Sequence, residues 1–325
     1  MTTTMHGAHG GHGLAVSTHG LVHIYRSDGH DVAALSGVGV TIQAGELVGL
    51  LGPSGSGKST LLQLCGGLLE PSAGRLQVGG HEIGRMSRIE LDRMRAGDVG
   101  IVVQGAMRNL LPYASPLDNV RFAQRGGRAI ARKDLPEPHE VLGLVGLADE
   151  GRTPLDRLTP GQRQRLAVGV ALGCRPGLLL LDEPTSQLDH AGRDEVLAAV
   201  DDVNRLIGTT VVAVTHDPEV AARLPRTVTI RDGRVGAEGR RGEDFAVIAR
   251  DGSLALPPDV LDTVPPGSLL QVRLEDDGSI RLVPQVTLDD AADPVEGDAD
   301  SAAAVAAGVH HGDVVAFDAA EGSGA

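Results

Sequence analysis

Tryptophan is absent from this 325-residue chain, and only three Phe and two Tyr occur. So few rings argue against binding single-stranded nucleic acid by base stacking. Positive charge is also short. The 29 Lys and Arg face 43 Asp and Glu, a formal charge of −14, which argues against a broad phosphate-backbone footprint. The two cysteines, Cys65 and Cys174, lie far apart in segments that read as buried helix. They fit small core residues in a reducing compartment, not a disulfide framework. Met1–Gly13 has neither a basic start nor an apolar run, so no signal peptide is read there. Nor does any stretch reach the ~18–20 apolar residues of a spanning helix. Leu166–Leu181 comes nearest and is interrupted by Arg175 and Pro176. The expectation is a soluble, cytoplasmic chain unless a partner holds it at a membrane.

The length suffices for one large domain and one small one. Residues 1–13 are His- and Gly-rich and read as a disordered tail, with His6, His9 and His12 recurring every third residue. From Val16 to Leu51 short β-type runs alternate with turn residues, and residues 60–69 (TLLQLCGGLL) read as a helix. An Arg-rich region of helix formers follows over 85–165, with a strand-like Val99–Val103 inside it. The runs Gly177–Leu181 and Thr210–Thr215 read as buried parallel strands around a helix over Ala191–Leu206. That order predicts an α/β layer. Character changes around Gly236–Gly242. Residues 243–287 read as short strands with Asp-Gly turns (Asp251-Gly252, Asp277-Gly278) and Pro pairs. From Asp289 onward there are nine acids and no Lys or Arg, so 288–325 reads as a disordered acidic tail. Without those acids the formal charge is about −5.

Residues 52–60, GPSGSGKST, form a complete G-x-x-x-x-G-K-[ST] loop between a strand-like run and a helix. Each position has a chemical reason. Gly52, Gly55 and Gly57, with Pro53, Ser54 and Ser56 between them, let the backbone curl so that successive N–H groups face phosphates. The helix beginning near Lys58 adds its positive end. Lys58 reaches the β- and γ-phosphates, Ser59 offers Mg²⁺ a hard oxygen, and Thr60 closes the loop. Only Lys58 and Lys133 are lysines. A chain that otherwise uses Arg keeps a compact ammonium where a guanidinium would crowd the loop. Further on, four leucines precede Asp182-Glu183-Pro184, a buried strand delivering two carboxylates at its end. One suits Mg²⁺, the other suits polarising an attacking water.

The remaining motifs decide which P-loop class this is. Gln104 ends VGIVVQ, Leu158–Gln162 reads LTPGQ before RQRLAVGVAL, Ser186–Asp189 reads SQLD, His216 sits in VTHD and Tyr25 in HIYRSDG. In this order and spacing, Leu14 to about Arg240 resembles the ATP-binding cassette (ABC) ATPases. The resemblance implies a RecA-like core with an antiparallel β-subdomain and a helical subdomain over about 105–165. It implies Tyr25 stacking on adenine, Gln104 sensing Mg²⁺ and γ-phosphate, Asp189 in a D-loop, and His216 steadying the γ-phosphate beside the base Glu183. It also implies that Thr159, Gly161 and Gln162 of one copy complete the ATP site of a second, so that ATP joins a homodimer. Metal ligation is expected from Ser59, Gln104 and Asp182. The sequence departs from the family signature at Thr159, which keeps a hydroxyl, and at Pro160, which lacks an N–H donor.

Three stretches, Leu91–Gln104, Asn109–Val120 and His216–Ala222, resemble the lipoprotein-release and macrolide-export group. That resemblance implies a separate transmembrane permease and attachment to the inner face of the cell membrane. Residues 243–287 resemble the AbrB-like swapped-hairpin family, which implies strand exchange between copies. Their acids outnumber Arg250, Arg273 and Arg281, so dimerisation is expected in preference to DNA binding. Two alternatives are a soluble ABC ATPase acting on nucleic acid or ribosomes, and a nucleotide-gated regulatory scaffold. The absence of a second P-loop and the intact Lys58, Asp182 and Glu183 weigh against them.

Overall fold

A computed structural model describes residues 12–27, 30–131, 135–240, 243–248, 252, 254, 256, 258–265, 267–275, 277–284 and 316–317. The expected His-bearing tail up to residue 11 and nearly all of the acidic 288–325 segment lie outside these residues. The chain separates into two compact units, residues 1–255 and 256–325.

The first unit holds two sheets. One is antiparallel: β1 (Val16–Ser27) pairs with β2 (His30–Val38), β3 (Thr41–Ile42) and β5 (Ala73–Val78), and β6 (His81–Glu82) closes its edge. The other has seven strands. Five of them run parallel, β10 (Arg226–Arg231), β4 (Leu47–Leu51), β9 (Thr210–Val214), β8 (Leu178–Asp182) and β7 (Val99–Val102), in that order. Antiparallel β11 (Arg234–Arg240) and β12 (Glu243–Ala246) extend the β10 edge.

The apolar run before Asp182 explains its place. Successive strand residues face opposite sides, and both sides of β8 are covered. Leu178 and Leu180 join the core shared with α1 (Lys58–Cys65) and the antiparallel sheet. Leu179 and Leu181 join the core formed with α5 (Pro160–Leu172) and α6 (His190–Ile207). All four are fully buried, each stabilising the fold by about 1.5–3 kcal/mol relative to exposure. A strand covered on both faces needs a continuous apolar run, and the sequence supplies one.

Between β5 and β8 the chain forms α2 (Arg88–Gly97), returns through β7, and then builds a helical layer from α3 (Pro116–Gly126), α4 (Pro138–Leu144) and α5. Starts are capped locally: Ser115 Oγ accepts from Asp118 N at 3.2 Å, and Ser87 with Glu90 forms a capping box on α2. After β9, α7 (Pro218–Ala221) leads into β10.

Three boundaries differ from the sequence expectation. The helix expected over 60–69 begins at Lys58 and stops at Cys65, because Gly66 and the left-handed Gly67 (φ +63°) turn the chain. His12 and Gly13, expected in the tail, are ordered against the core, where Leu14 N donates to Gly177 O at 2.9 Å. Residues 243–246, expected in the small domain, are strand β12 of the main sheet. The change of character near 240 therefore marks a hairpin within that sheet, and the second unit begins only at Leu256. That unit contains α8 (Pro258–Thr263) and strands β13 (Leu270–Leu274), β14 (Ile280–Pro284) and β15 (Ala316–Phe317), with the expected Asp277-Gly278 turn joining β13 to β14.

Candidate functional site

The loop after β4 curls as the glycines require. Gly52, Gly55 and Gly57 have φ of +134°, +80° and +100°. At Gly57 a Cβ would lie 2.3 Å from Ala34 O, so no larger residue fits without moving β2. Pro53, Ser54 and Gly55 form the exposed outer curve, while Ser56 and Lys58 are buried. Lys58 is only 6% exposed, and its Nζ donates to Gly52 O and Pro53 O at 2.7 Å each. Burial pulls its pKa below the usual lysine value, while Glu183 and Asp182 push it up. The ammonium is thus held at the mouth of the cradle.

Ser59 Oγ donates to Asp182 Oδ1 at 3.1 Å, bringing together the two oxygens expected to serve a cation. Burial raises the Asp182 pKa; the Ser59 hydrogen bond opposes this, Glu183 adds to it, and Lys58 opposes it. Glu183 follows with φ +48°, a left-handed conformation rare for a side-chain-bearing residue. Its N–H donates to Val214 O at 3.1 Å, which ties this turn to the end of β9. Glu183 Oε1 lies 2.7 Å from His216 Nδ1. A left-handed carboxylate held beside an imidazole points to a working site.

Tyr25 is reached from the antiparallel sheet. Its hydroxyl lies 3.2 Å from Thr60 Oγ1 on the P-loop helix, His23 packs edge-on to its ring with centroids 4.8 Å apart, and the residue is 41% exposed. An anchored ring with open surface beside the cradle suits stacking on a planar base.

Tyr25, residues 52–60, Asp182, Glu183 and His216 therefore converge. The other expected residues lie apart from this cluster, at the start of α5, the start of α6 and the end of β7. Pro160, Arg163 and Gln164 of α5 line a cavity of about 320 Å³ with Gly105–Arg108 and Ser186–Leu188. Thr159 and Gln162 form a capping box at the start of α5: Thr159 Oγ1 accepts from Gln162 N at 3.1 Å, and Gln162 Oε1 accepts from Thr159 N at 2.8 Å. Pro160 occupies the first turn, where a missing N–H costs the helix nothing. Gly161 abuts Gly192 at the start of α6. Asp189, expected at the nucleotide, caps α6 by accepting from Gly192 N at 2.9 Å, so the role visible here is architectural. Gln104 is exposed just beyond β7, the strand next to β8.

Sequence reasoning missed Arg193. Its side chain is 14% exposed and spans Asp217 at 2.6 Å and Glu219 at 2.7 Å, pinning the segment after His216 to α6. A cation in the first turn of a helix opposes the helix dipole, and that was the available signal that a specific acid must hold it. The buried Ser56 Oγ, which has no hydrogen-bond partner among the described residues, was equally invisible.

The sequence profile of the family described as "ABC transporter" matches residues 35–186. The chain is 38% identical over 232 residues to the lipoprotein-releasing system ATP-binding protein LolD 1 of Caulobacter vibrioides, covering 71% of this chain and 98% of that protein. It is 39% identical over 229 residues to the macrolide export ATP-binding/permease protein MacB of Rhodopirellula baltica, covering 70% of this chain but 33% of that one. Among solved structures, the dimeric post-hydrolysis state of the ATP-binding cassette MJ0796 bound to ADP and Pi matches with a TM-score of 0.62 and 30% identity, over 69% of this chain and 98% of that one. The phosphate cradle, the paired carboxylates, the imidazole and these likenesses agree: the chain belongs to the ATP-binding cassette family of transporter ATPases.

Proposed function

We propose that the chain works as the ATPase of a two-copy sandwich that drives a separate transmembrane permease of the lipoprotein-release or macrolide-export kind. The observation that carries this reading is the division of the site. One cluster has the cradle, carboxylates and imidazole, while Thr159–Gln162 forms the capped first turn of α5, whose Pro160 borders a separate cavity with Ser186–Leu188. A second copy supplying its α5 N-terminus would complete the first cluster. There, Thr159 hydroxyl, Gly161 N–H and the helix dipole would face the γ-phosphate.

Within that sandwich Lys58 neutralises phosphate charge, and Glu183 accepts the proton of the attacking water. His216, hydrogen-bonded to Glu183, orients it. The hard oxygens of Ser59 and Asp182 fit a magnesium ion, and Gln104, at the end of the strand beside β8, is the proposed further ligand. When bound, that ion neutralises charge developing on the phosphates. Among the described residues no helix is long and apolar enough to cross a membrane. Attachment to the inner face of a membrane is therefore assigned to the permease.

The test is Glu183→Gln, with phosphate release and nucleotide-dependent dimerisation measured together. Turnover should fall by a factor of about 10²–10⁴ while ATP-bound dimers accumulate. Wild-type turnover in the variant would remove Glu183 from its role. Co-purification of an untagged membrane protein with the full chain tests the permease. Recovery of the chain only in soluble form, or with ribosomes, would favour a soluble ABC ATPase.

A further inference from the structure

Two buried glutamines of the helical layer stand in contrast. Gln124 on α3 is 2% exposed, and its Nε2 donates to Pro136 O at 2.8 Å and to Gly173 O at 3.0 Å. Gln164 on α5 is 5% exposed, yet its Nε2 meets no acceptor among the described residues. A buried donor without an acceptor loses its hydration with nothing in exchange, which is why native interiors keep few of them. Gln164 therefore calls for an acceptor that this arrangement of the chain does not bring within reach.

The cavity that Gln164 lines shows where that acceptor lies. Its walls are Gly105–Arg108, the first turns of α5, and Ser186–Leu188. On the first wall, Gly105 O already accepts from Arg108 N at 3.1 Å and from Asn109 Nδ2 at 3.0 Å. On the second, Arg163 is engaged elsewhere, its Nε donating to Leu155 O at 3.0 Å. On the third, the carbonyls of Ser186 and Gln187 accept no hydrogen bond among the described residues. That turn is also strained. Gln187 has φ +68°, a left-handed conformation that a side-chain-bearing residue keeps only where its surroundings enforce it. The same turn is joined to the base: Ser186 donates twice to Glu183 O, from N at 3.2 Å and from Oγ at 3.0 Å.

We infer that Gln164 is a positioning residue for hydrolysis. In the two-copy sandwich its amide donates across the cavity to a carbonyl of the Ser186–Gln187 turn, and the turn, through Ser186, fixes Glu183 against the attacking water. This rests on the sandwich proposed above, in which the start of α5 meets a γ-phosphate. Gln164 lies little more than one helical turn further along α5, so the phosphate contact and the amide contact are carried by one rigid element. A hydrogen bond made only in the closed pair stabilises that pair and no other state.

The test is Gln164→Met in the full chain, which nearly keeps the side-chain volume and removes the donor. In thermal melts without nucleotide its Tm should equal or exceed that of wild type, because an unpaired donor is removed and no hydrogen bond is lost. Gln124→Met, which orphans Pro136 O and Gly173 O, should instead lower Tm by several degrees. In phosphate release, Gln164→Met should lower kcat about ten-fold, the contribution of one hydrogen bond, with the KM for ATP within about two-fold. Ser186→Ala should act alike, and the double variant should add little more. Three results would overturn the inference. One is a Tm without nucleotide lowered as far as that of Gln124→Met, which would mean that water or another group already satisfies the amide. Another is a kcat for Gln164→Met equal to that of wild type. The third is full addition of the two losses in the double variant. Dimerisation of Glu183→Gln with ATP and Mg²⁺ keeps the readings apart: its absence sinks the sandwich itself, whereas its presence beside wild-type turnover in Gln164→Met sinks only the role of Gln164.

Discussion

Replacing Gly161 by Ala separates fold from function at the α5 N-terminus. A Cβ at Gly161 would lie 3.1 Å from Gly192 Cα and 3.7 Å from Glu195 Oε2. The first distance is a few tenths of an ångström too short, so α5 and α6 must part slightly. Overpacking of this kind costs about 1–3 kcal/mol. Ala recovers roughly 0.5–1 kcal/mol of that by restricting the unfolded chain. The net loss is about 1 kcal/mol, a fall in Tm of roughly 2–4 °C for a domain of this size. The sandwich loses far more, because the new methyl stands beside the N–H meant for the γ-phosphate. A charge-assisted hydrogen bond is worth about 1.5–3 kcal/mol, and a symmetric dimer loses two. That predicts a dissociation constant raised by about 10²–10⁴. The assay is sedimentation velocity of Glu183→Gln and Glu183→Gln/Gly161→Ala with ATP and Mg²⁺, alongside thermal melts. An unchanged dimer with a lowered Tm would show that Gly161 serves only helix packing and would refute the reasoning.

Three further outcomes are expected. Arg193→Met should lower kcat about ten-fold with the KM for ATP nearly unchanged, because Arg193 holds the segment after His216 and no part of the cradle; Asp217→Asn should act alike, and the double variant should add little more. Tyr25→Ala should raise the KM for ATP by about 5- to 100-fold, the range of one lost base stack, whereas Tyr25→Phe, which loses only the hydroxyl contact with Thr60, should stay within about three-fold. Glu238 accepts from Arg226 at 2.8 Å, and Arg226 also pairs with Glu46 at 2.6 Å. Burial raises the Glu238 pKa, but the hydrogen bonds from Arg226 and Arg240 outweigh it and hold the pKa below the usual value. Its contribution is therefore complete above the unfolded glutamate pKa of about 4.3 and lost as pH falls through the lower folded value. Glu238→Gln should cost about 1–2 kcal/mol at pH 7 after allowance for solvent screening, and wild type and variant should converge in urea unfolding at low pH.

Local chemistry made the cradle legible. Glycine spacing, one lysine and a following hydroxyl encode a backbone shape within nine residues, and the structure has that shape at Gly52–Thr60. Asp182 and Glu183 were legible for a different reason: four consecutive leucines bounded by Gly177 and Asp182-Glu183-Pro184 fit a short strand covered on both faces, with the two acids at its carboxyl end. Arg193 was hidden because its partners lie 24 and 26 positions away on another element, and no periodicity links them. Strand β12 was hidden because pairing Glu238 with Phe245 depends on a sheet edge being free, which is a property of the finished fold. For Asp189 the sequence reads only the carboxylate, which can cap a helix or face a ligand, and the structure shows the cap.

The sheet order explains why the catalytic cluster forms within one chain while the signature turn stands apart. Strands β4, β9 and β8 are neighbours, and each releases one part of the site at its carboxyl end: the cradle, His216, and Asp182 with Glu183. Ligands of open parallel sheets bind at that end, so adjacency alone assembles the hydrolytic half. Thr159–Gln162 instead opens a helix reached through an excursion of about 75 residues between β7 and β8. Helix α5 packs its apolar side into the core through Leu166, Val168 and Leu172, which fixes its N-terminus beside Gly192. Moving that terminus onto the cradle of the same chain would expose this buried face. A second copy can present the turn with the face still buried, and that difference in cost favours a two-chain site.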